Sequence, residues 1–220
     1  MKKKEALELI KKDSNNLKII PKELKKDKKV VLEAVKGHGR TLLYADESLK
    51  KDREIVLHAV KNTGTSIQYA DESLKKDREV VLEAVKNHGE ALGAVDKIFL
   101  KDREVVLEAV KNYGGSIIYA DESLKKDRKV VLEAVKNDGS AIQDADESFL
   151  KDREIVLEAV KQHGWILLEV DKSFLKDKEI VLAALNENID GTDSKEIIDH
   201  IDNSLKNDPD IIYLWESKGY

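Results

Sequence analysis

DREVVLEAVKNHGEALGAVDKIFLK, residues Asp77 to Lys101, is one copy of a unit that recurs along most of the chain. Its first residue has counterparts at Asp27, Asp52, Asp102, Asp127, Asp152 and Asp177, and the step from each anchor to the next never changes. Spacing without a single insertion marks a solenoid, in which one short supersecondary unit cannot bury its apolar face alone and stacks on its neighbours instead. The expected fold class is therefore all-α: an α-solenoid of tandem 25-residue two-helix repeats with irregular terminal caps.

Within the copy that starts at Asp52, a first helix is expected from Arg53 to about Asn62. Asp52 is placed to cap it, and Glu54 meets the positive end of its dipole. Gly64 should end it in a left-handed C-cap, as should Gly39, Gly89, Gly114, Gly139 and Gly164 in their copies. At 100° per residue, Ile55, Val56, Leu57, Ala59 and Val60 cover more than half the circumference, which describes a buried helix with Glu54, His58 and Lys61 facing water. A second helix is expected from about Thr65 to Leu74, with Ile67, Ala70, Asp71 and Leu74 on its inner face.

Residues 1–26 read as an N-terminal capping repeat, since Leu7, Leu9 and Ile10 stand one repeat length before Leu32, Ala34 and Val35. Residues 27–185 are the regular repeats, and 186–220 form a C-terminal cap in which Leu205 to Trp215 echoes Leu49 to Ala59. The step from Asp177 to Asp208 exceeds the repeat length, and the excess is a six-residue insertion in the cap. No linker interrupts the pattern, and one elongated repeat domain over 1–220 is the expectation.

Thirty-nine basic against 44 acidic residues leave a net charge of −5, spread as mixed signs through every copy. That argues against nucleic acid and anionic membrane as partners. The chain has no cysteine, so thiolate nucleophiles, disulfides and cysteine zinc sites are excluded. The basic start MKKKEALELIKKD is broken by Glu8 and lacks the uncharged core of a signal peptide. No stretch approaches the ~20 apolar residues of a membrane span. A cytoplasmic protein is expected.

The string LKKDREVVLEAVKNHG, Leu74 to Gly89, resembles the repeat of a family known as a domain of unknown function, numbered 4116. The resemblance covers roughly Leu24 to Leu185 and rests on a charged pair, an aspartate and an apolar VVLxAV run recurring at fixed phase. It implies a tandem helical repeat found largely in bacteria, protists and large viruses. It brings no activity, cofactor or catalytic residue.

Five constellations invite a chemical reading. His38, His88 and His163 share one place in the turn, but copies packed at roughly 8–10 Å keep them too far apart for one metal. Asn186, Asn188, Asp190 and Gly191 match the opening of a calcium loop whose closing glutamate is missing, Ile197 standing at that position. Asp46, Asp71, Asp96, Asp121, Asp146 and Asp171 flank the apolar face of the second helix. They need donors, for which the cation after each anchor aspartate (Lys28, Arg53, Arg78, Arg103, Arg128, Arg153) is the first candidate and turn N–H groups the second. Such identical rows suit registration of the fold and not acid–base chemistry, which wants two carboxylates in different environments. The column Lys36, Lys61, Lys86, Lys111, Lys136 and Lys161 has acids beside it, for example Glu79 and Glu83 next to Lys86, and reads as a solvated face.

The fifth is the outer strip of the second helices, where the copies differ most. Its large residues, Leu43, Tyr44, Tyr69, Ile118, Tyr119, Trp165 and Leu168, have the composition of interface anchors, against the plainer reading that they cover seams between helices. The expected function is a non-enzymatic scaffold that binds a protein or peptide through this strip, with no catalytic residue, cofactor or metal. An enzyme accessory or a nucleic-acid-associated repeat protein is the alternative. Trp165 and Leu168, followed in sequence by Trp215, add self-association through the C-terminal end to the expectation.

Overall fold

Each long helix starts where its anchor aspartate meets the free N–H groups of the first turn. The Asp52 carboxylate accepts from the backbone N–H of Glu54 at 3.1 Å and of Ile55 at 3.3 Å, and the helix runs Arg53–Asn62 as the sequence predicts. Ile55, Val56, Ala59 and Val60 are fully buried, while Leu57 is half-buried at the edge of the core. The same helix recurs at Lys28–Gly37, Arg78–Asn87, Arg103–Asn112, Arg128–Asn137, Arg153–Val160 and Lys178–Asn186.

Two local expectations need correction. The first concerns the glycines. The residue that ends helix Arg53–Asn62 is Thr63, in extended backbone at φ −147° and ψ 101°. Gly64 opens the following segment, and a Cβ there would be driven into the Ala84 carbonyl oxygen of the next copy. Gly39 and Gly89 face Ala59 and Ala109 in the same way. Close approach of two backbones, not a left-handed turn, is what requires glycine.

The second correction concerns the second helix, which is not continuous. Gly64–Tyr69 is a six-residue 3-10 helix, closed by bonds such as Ala70 N–H to the Ile67 carbonyl at 3.0 Å. The chain then turns extended at Ala70, and a separate closing turn follows at Leu74–Lys76. The break has two causes. Asp71 sends its N–H across to the Lys50 carbonyl of the preceding copy, 3.0 Å, and its side chain caps the closing turn through the Ser73 N–H at 3.1 Å. The inner face survives the break: Ile67, Ala70 and Leu74 are buried.

The computed structural model describes residues 1–187 and 191–217; among these no strand occurs, and the architecture is an all-α tandem repeat. Backbone contacts divide the chain into two units, Met1–Asp121 and Glu122–Tyr220. In the first, helix Lys3–Lys12 buries Ala6 and Ile10 and packs on Lys28–Gly37, so the worn first copy is a true repeat. In the second, helix Gly191–His200 packs on the 3-10 segment Gly164–Leu168, and helix Pro209–Ser217 packs on Lys178–Asn186. The inserted residues therefore lengthen the 3-10 position into an α-helix. The repeat frame then resumes, because Asp202 N–H reaches the Leu175 carbonyl at 2.9 Å just as its counterparts do.

Candidate functional site

Most charged side chains of the repeat join one copy to the next. Arg153 donates through Nε to Asp177 Oδ2 at 2.7 Å and through Nη2 to Glu179 Oε2 at 2.6 Å. Arg53, Arg78 and Arg128 make the same forked contact with Asp77 and Glu79, Asp102 and Glu104, and Asp152 and Glu154. Lysine serves at Lys28 with Asp52 and Glu54, and at Lys178 with Asp208 and Asp210. These cations thus hold the anchor aspartates and not the Asp46 to Asp171 row expected of them. The Arg53 hydrogen bond holds the Asp77 carboxyl below its ordinary value against partial burial, with the Val80 N–H adding to it.

The Asp46 row takes its donors from the turn. Asp71 Oδ1 accepts from Ser73 Oγ at 2.7 Å and from its N–H at 3.1 Å, contacts that keep the carboxyl below its ordinary value. Its other oxygen lies 3.6 Å from Lys51, the lysine before the anchor aspartate. Similar lysine pairs involve Asp46, Asp96, Asp121, Asp146 and Asp171. In the outer lysine column, Lys111 and Lys161 pair with Glu108 and Glu158. The acids expected beside Lys86 turn elsewhere, Glu79 to Arg53 and Glu83 to Lys61.

One joint was missed in the sequence. Asn62 Oδ1 accepts the Gly39 N–H at 2.7 Å while Asn62 Nδ2 donates to the Lys36 carbonyl at 3.0 Å. Asn87 does this for Gly64 and Lys61, and Asn112 for Gly89 and Lys86. Gln162 does it for Gly139 and Lys136. The signal was present as an amide column two residues before each glycine from Gly64 to Gly164, but a polar residue at a helix end reads as solvated unless its partner copy is in view.

The histidine column is dispersed. His88 bonds Asn87 at 2.6 Å, and His163 lies 3.5 Å from Asp138. Among the described residues no group of three His, Asp or Glu side chains converges as metal ligands would. Of the half-matched calcium loop, Asn188 and Asp190 lie outside the described residues.

The variable strip coincides with the 3-10 segments. In the first unit Leu43, Ile118 and Tyr119 are exposed, at 45%, 53% and 42%, while Tyr44 and Tyr69 are half-buried. Gly93 proves to be a seat and not a gap: a Cβ there would lie 2.8 Å from Tyr119 Cζ, so the tyrosine ring covers that part of the strip. Leu43, Tyr44 and Tyr69 share the rim of a depression of ≈ 200 Å³ with Asn15, His38 and Arg40. Ile98, 61% exposed, replaces the serine of the closing turn and escaped the sequence reading because its column looked structural. In the second unit Trp165 and Leu168 are half-buried, and Trp165 stacks on His163 with ring centroids 6.3 Å apart.

The class defined by this geometry is an all-α tandem repeat whose copies are joined by charged forks and amide clips. The family described as Domain of unknown function (DUF4116) matches residues 4–50, 52–100, 102–150 and 152–190, and the chain belongs to it. The first three matches each span about two of the 25-residue copies, and the last covers the copy from Asp152 and part of the next. No curated protein and no solved structure matches the chain. Among the described residues no helix is long and apolar enough to cross a membrane.

Proposed function

We propose that the chain is a non-enzymatic scaffold that binds a protein segment along the strip of 3-10 helices. One observation carries the reading: the recurring polar side chains are engaged in joining copies, while the strip presents Leu43 and Ile118 to solvent, and Tyr119, seated on Gly93, remains 42% exposed. Large exposed apolar residues on a rigid frame are what an interface needs as anchors. The carboxylates sit in repeated rows tied to cations, so the reading gives them a structural and not a catalytic part. It keeps the cytoplasm as the expected location, and the net charge of −5 argues against nucleic acid as the partner.

A peptide-display selection on the wild-type chain, repeated on the combined variant Leu43→Ser, Ile118→Ser and Tyr119→Ser, tests it. Sequences enriched on the first and lost on the second, with the melting temperature unchanged, support the scaffold. Enrichment indifferent to the substitutions, or a turnover abolished by one point mutation, sinks it. A gel shift at low salt that shows salt-sensitive binding favours the nucleic-acid alternative instead. Trp165→Ala examines self-association separately. Loss of association at constant melting temperature makes Trp165 an interface residue, whereas a lower melting temperature with association intact makes it the seal between Gly164–Leu168 and helix Gly191–His200.

A further inference from the structure

Arg40 stands apart from the other arginines whose partners are described. Arg53, Arg78, Arg128 and Arg153 each hold two carboxylates. Arg40 instead points Nη2 at the Tyr69 hydroxyl over 3.5 Å, which is long for an N–H···O bond. Its electrostatic neighbours are the Tyr69 and Tyr44 side chains. The frame does not call for an arginine here, since the same place holds Thr65, Glu90, Gly115, Ser140 and Trp165 in other copies. The depression it borders is lined by Asn15, His38, Leu43, Tyr44 and Tyr69, with no acid among them. The carboxylates nearby in sequence are engaged elsewhere: Asp46 accepts from the Ser48 N–H and hydroxyl at 3.1 and 2.7 Å, Glu47 pairs with Lys50 at 2.7 Å, and Asp13, beside Asn15, accepts from the Asn15 N–H and side-chain amide at 2.9 and 3.1 Å.

We propose that this depression is an anion-binding subsite that takes the carboxylate or phosphate of a peptide side chain, with Arg40 as its principal donor. A guanidinium is weakly hydrated and presents a planar fork that matches either group in two parallel bonds. The Tyr44 and Tyr69 hydroxyls and the His38 ring add donors at the rim, and Leu43, 45% exposed, offers contact to an apolar residue beside the anion. The occupant is a peptide and not a nucleic acid because the cation is single. At the place of Arg40 the following copies of the first unit hold Thr65, Glu90 and Gly115, so a polyanion laid along the strip finds no second cation there. The subsite rests on the scaffold reading and narrows its partner to a segment with one acidic or phosphorylated side chain next to an apolar one.

Titration of the 15N-labelled full chain with defined probes tests it. The probes are the blocked peptides acetyl-Leu-Glu-Leu-amide, its glutamine counterpart and its phosphotyrosine counterpart, together with a short oligothymidine. The glutamate and phosphotyrosine peptides are expected to shift the amide signals of Gly39, Thr41, Leu43 and Tyr69, with the glutamine peptide about tenfold weaker. The tighter of the two anionic peptides identifies the source of the anion. Arg40→Gln, an exposed replacement, is expected to keep the melting temperature and to erase the difference between the glutamate and glutamine peptides. Equal binding of those two to the wild type, with shifts at Leu43, Ile118 and Tyr119, overturns the subsite and leaves the scaffold standing. Tighter binding of the oligothymidine overturns the choice of a peptide. Silence of every probe along the strip overturns both readings.

Discussion

Asn87 works in two directions at once. Its carbonyl oxygen takes the buried Gly64 N–H at 2.7 Å and its amide nitrogen gives to the Lys61 carbonyl at 3.0 Å. Asn87→Ala leaves that N–H without a partner, which costs about 1–3 kcal/mol, and a urea denaturation curve reads the loss. Asn87→Gln is expected to recover most of it, because Gln162 already serves as a clip with bonds of 3.2 and 2.9 Å. A glutamine variant as unstable as the alanine one sinks the clip as the cause. Asn62, Asn87 and Asn112 were visible in the sequence as a column, yet their role was not, because each partner lies in the preceding copy and across a backbone rather than a side chain. The glycines were visible as well, and here the wrong physics was attached: Gly64 is small because of Ala84, not because of its own dihedral angles.

Two kinds of aspartate cap two kinds of helix. Asp77 caps Arg78–Asn87 and also receives Arg53, so Asp77→Ala removes both and is expected to cost at least ~1 kcal/mol. Asp71 caps only a short turn, and Asp71→Ala should lower the melting temperature less than Asp77→Ala does. A larger effect from Asp71 overturns that ranking. The long helices were legible at their starts and in their buried arcs, since cap and apolar pattern agree, though Arg153–Val160 ends two residues before the position of Asn62. The second element was not, because a helical wheel assigned Ile67, Ala70 and Leu74 to one face whether or not the helix was continuous. The signal for the break was the Asp71-Glu72-Ser73 triplet, an N-cap inside the expected helix, which the wheel read as a carboxylate flanking the apolar face.

Acid acts in the same sense on each copy whose anchor aspartate is held by the cation of the copy before it. Hydrogen bonds from Lys3, Arg53, Arg128 and Arg153 hold the carboxyls of Asp27, Asp77, Asp152 and Asp177 below their ordinary value. Between the lowered folded values and an unfolded value of ~3.9, the unfolded chain binds more protons than the folded one. Their stabilisation is therefore complete above the unfolded value and is lost as pH falls through the folded ones. The melting temperature is expected to hold between about pH 7 and pH 5 and to drop below about pH 4. Asp77→Asn should blunt the drop, and a curve unchanged by acid removes the ladder from the account of stability. At this scale the constant spacing of the anchor aspartates was the most informative fact in the sequence, because it survives every change of surface residue. The strip was legible only as a list of large side chains. That Gly93 seats Tyr119 and that Arg40 is left without an acid emerges only when adjacent copies are laid side by side.

The joints also record how such a chain can be recombined. In the interior, the paired positions hold Gly39 with Asn62 and Gly64 with Asn87, but in the first copy they hold Ser14 with Gly37. A Cβ at Gly37 would collide with Ser14 Oγ, so the small and the polar partner have changed places across that junction. Crossover points are consequently not equivalent, even when each removes one full repeat length. Excising 39–63 fuses His38 to Gly64 and keeps every matched pair. Excising 15–39 fuses Ser14 to Arg40 and sets the serine against Asn62. The first deletion is expected to melt cooperatively near the parent, and the second to lose its first copy by circular dichroism and proteolysis. Duplication can therefore lengthen this chain freely from the second joint onward, while the first joint acts as a lock that fixes which copy comes first.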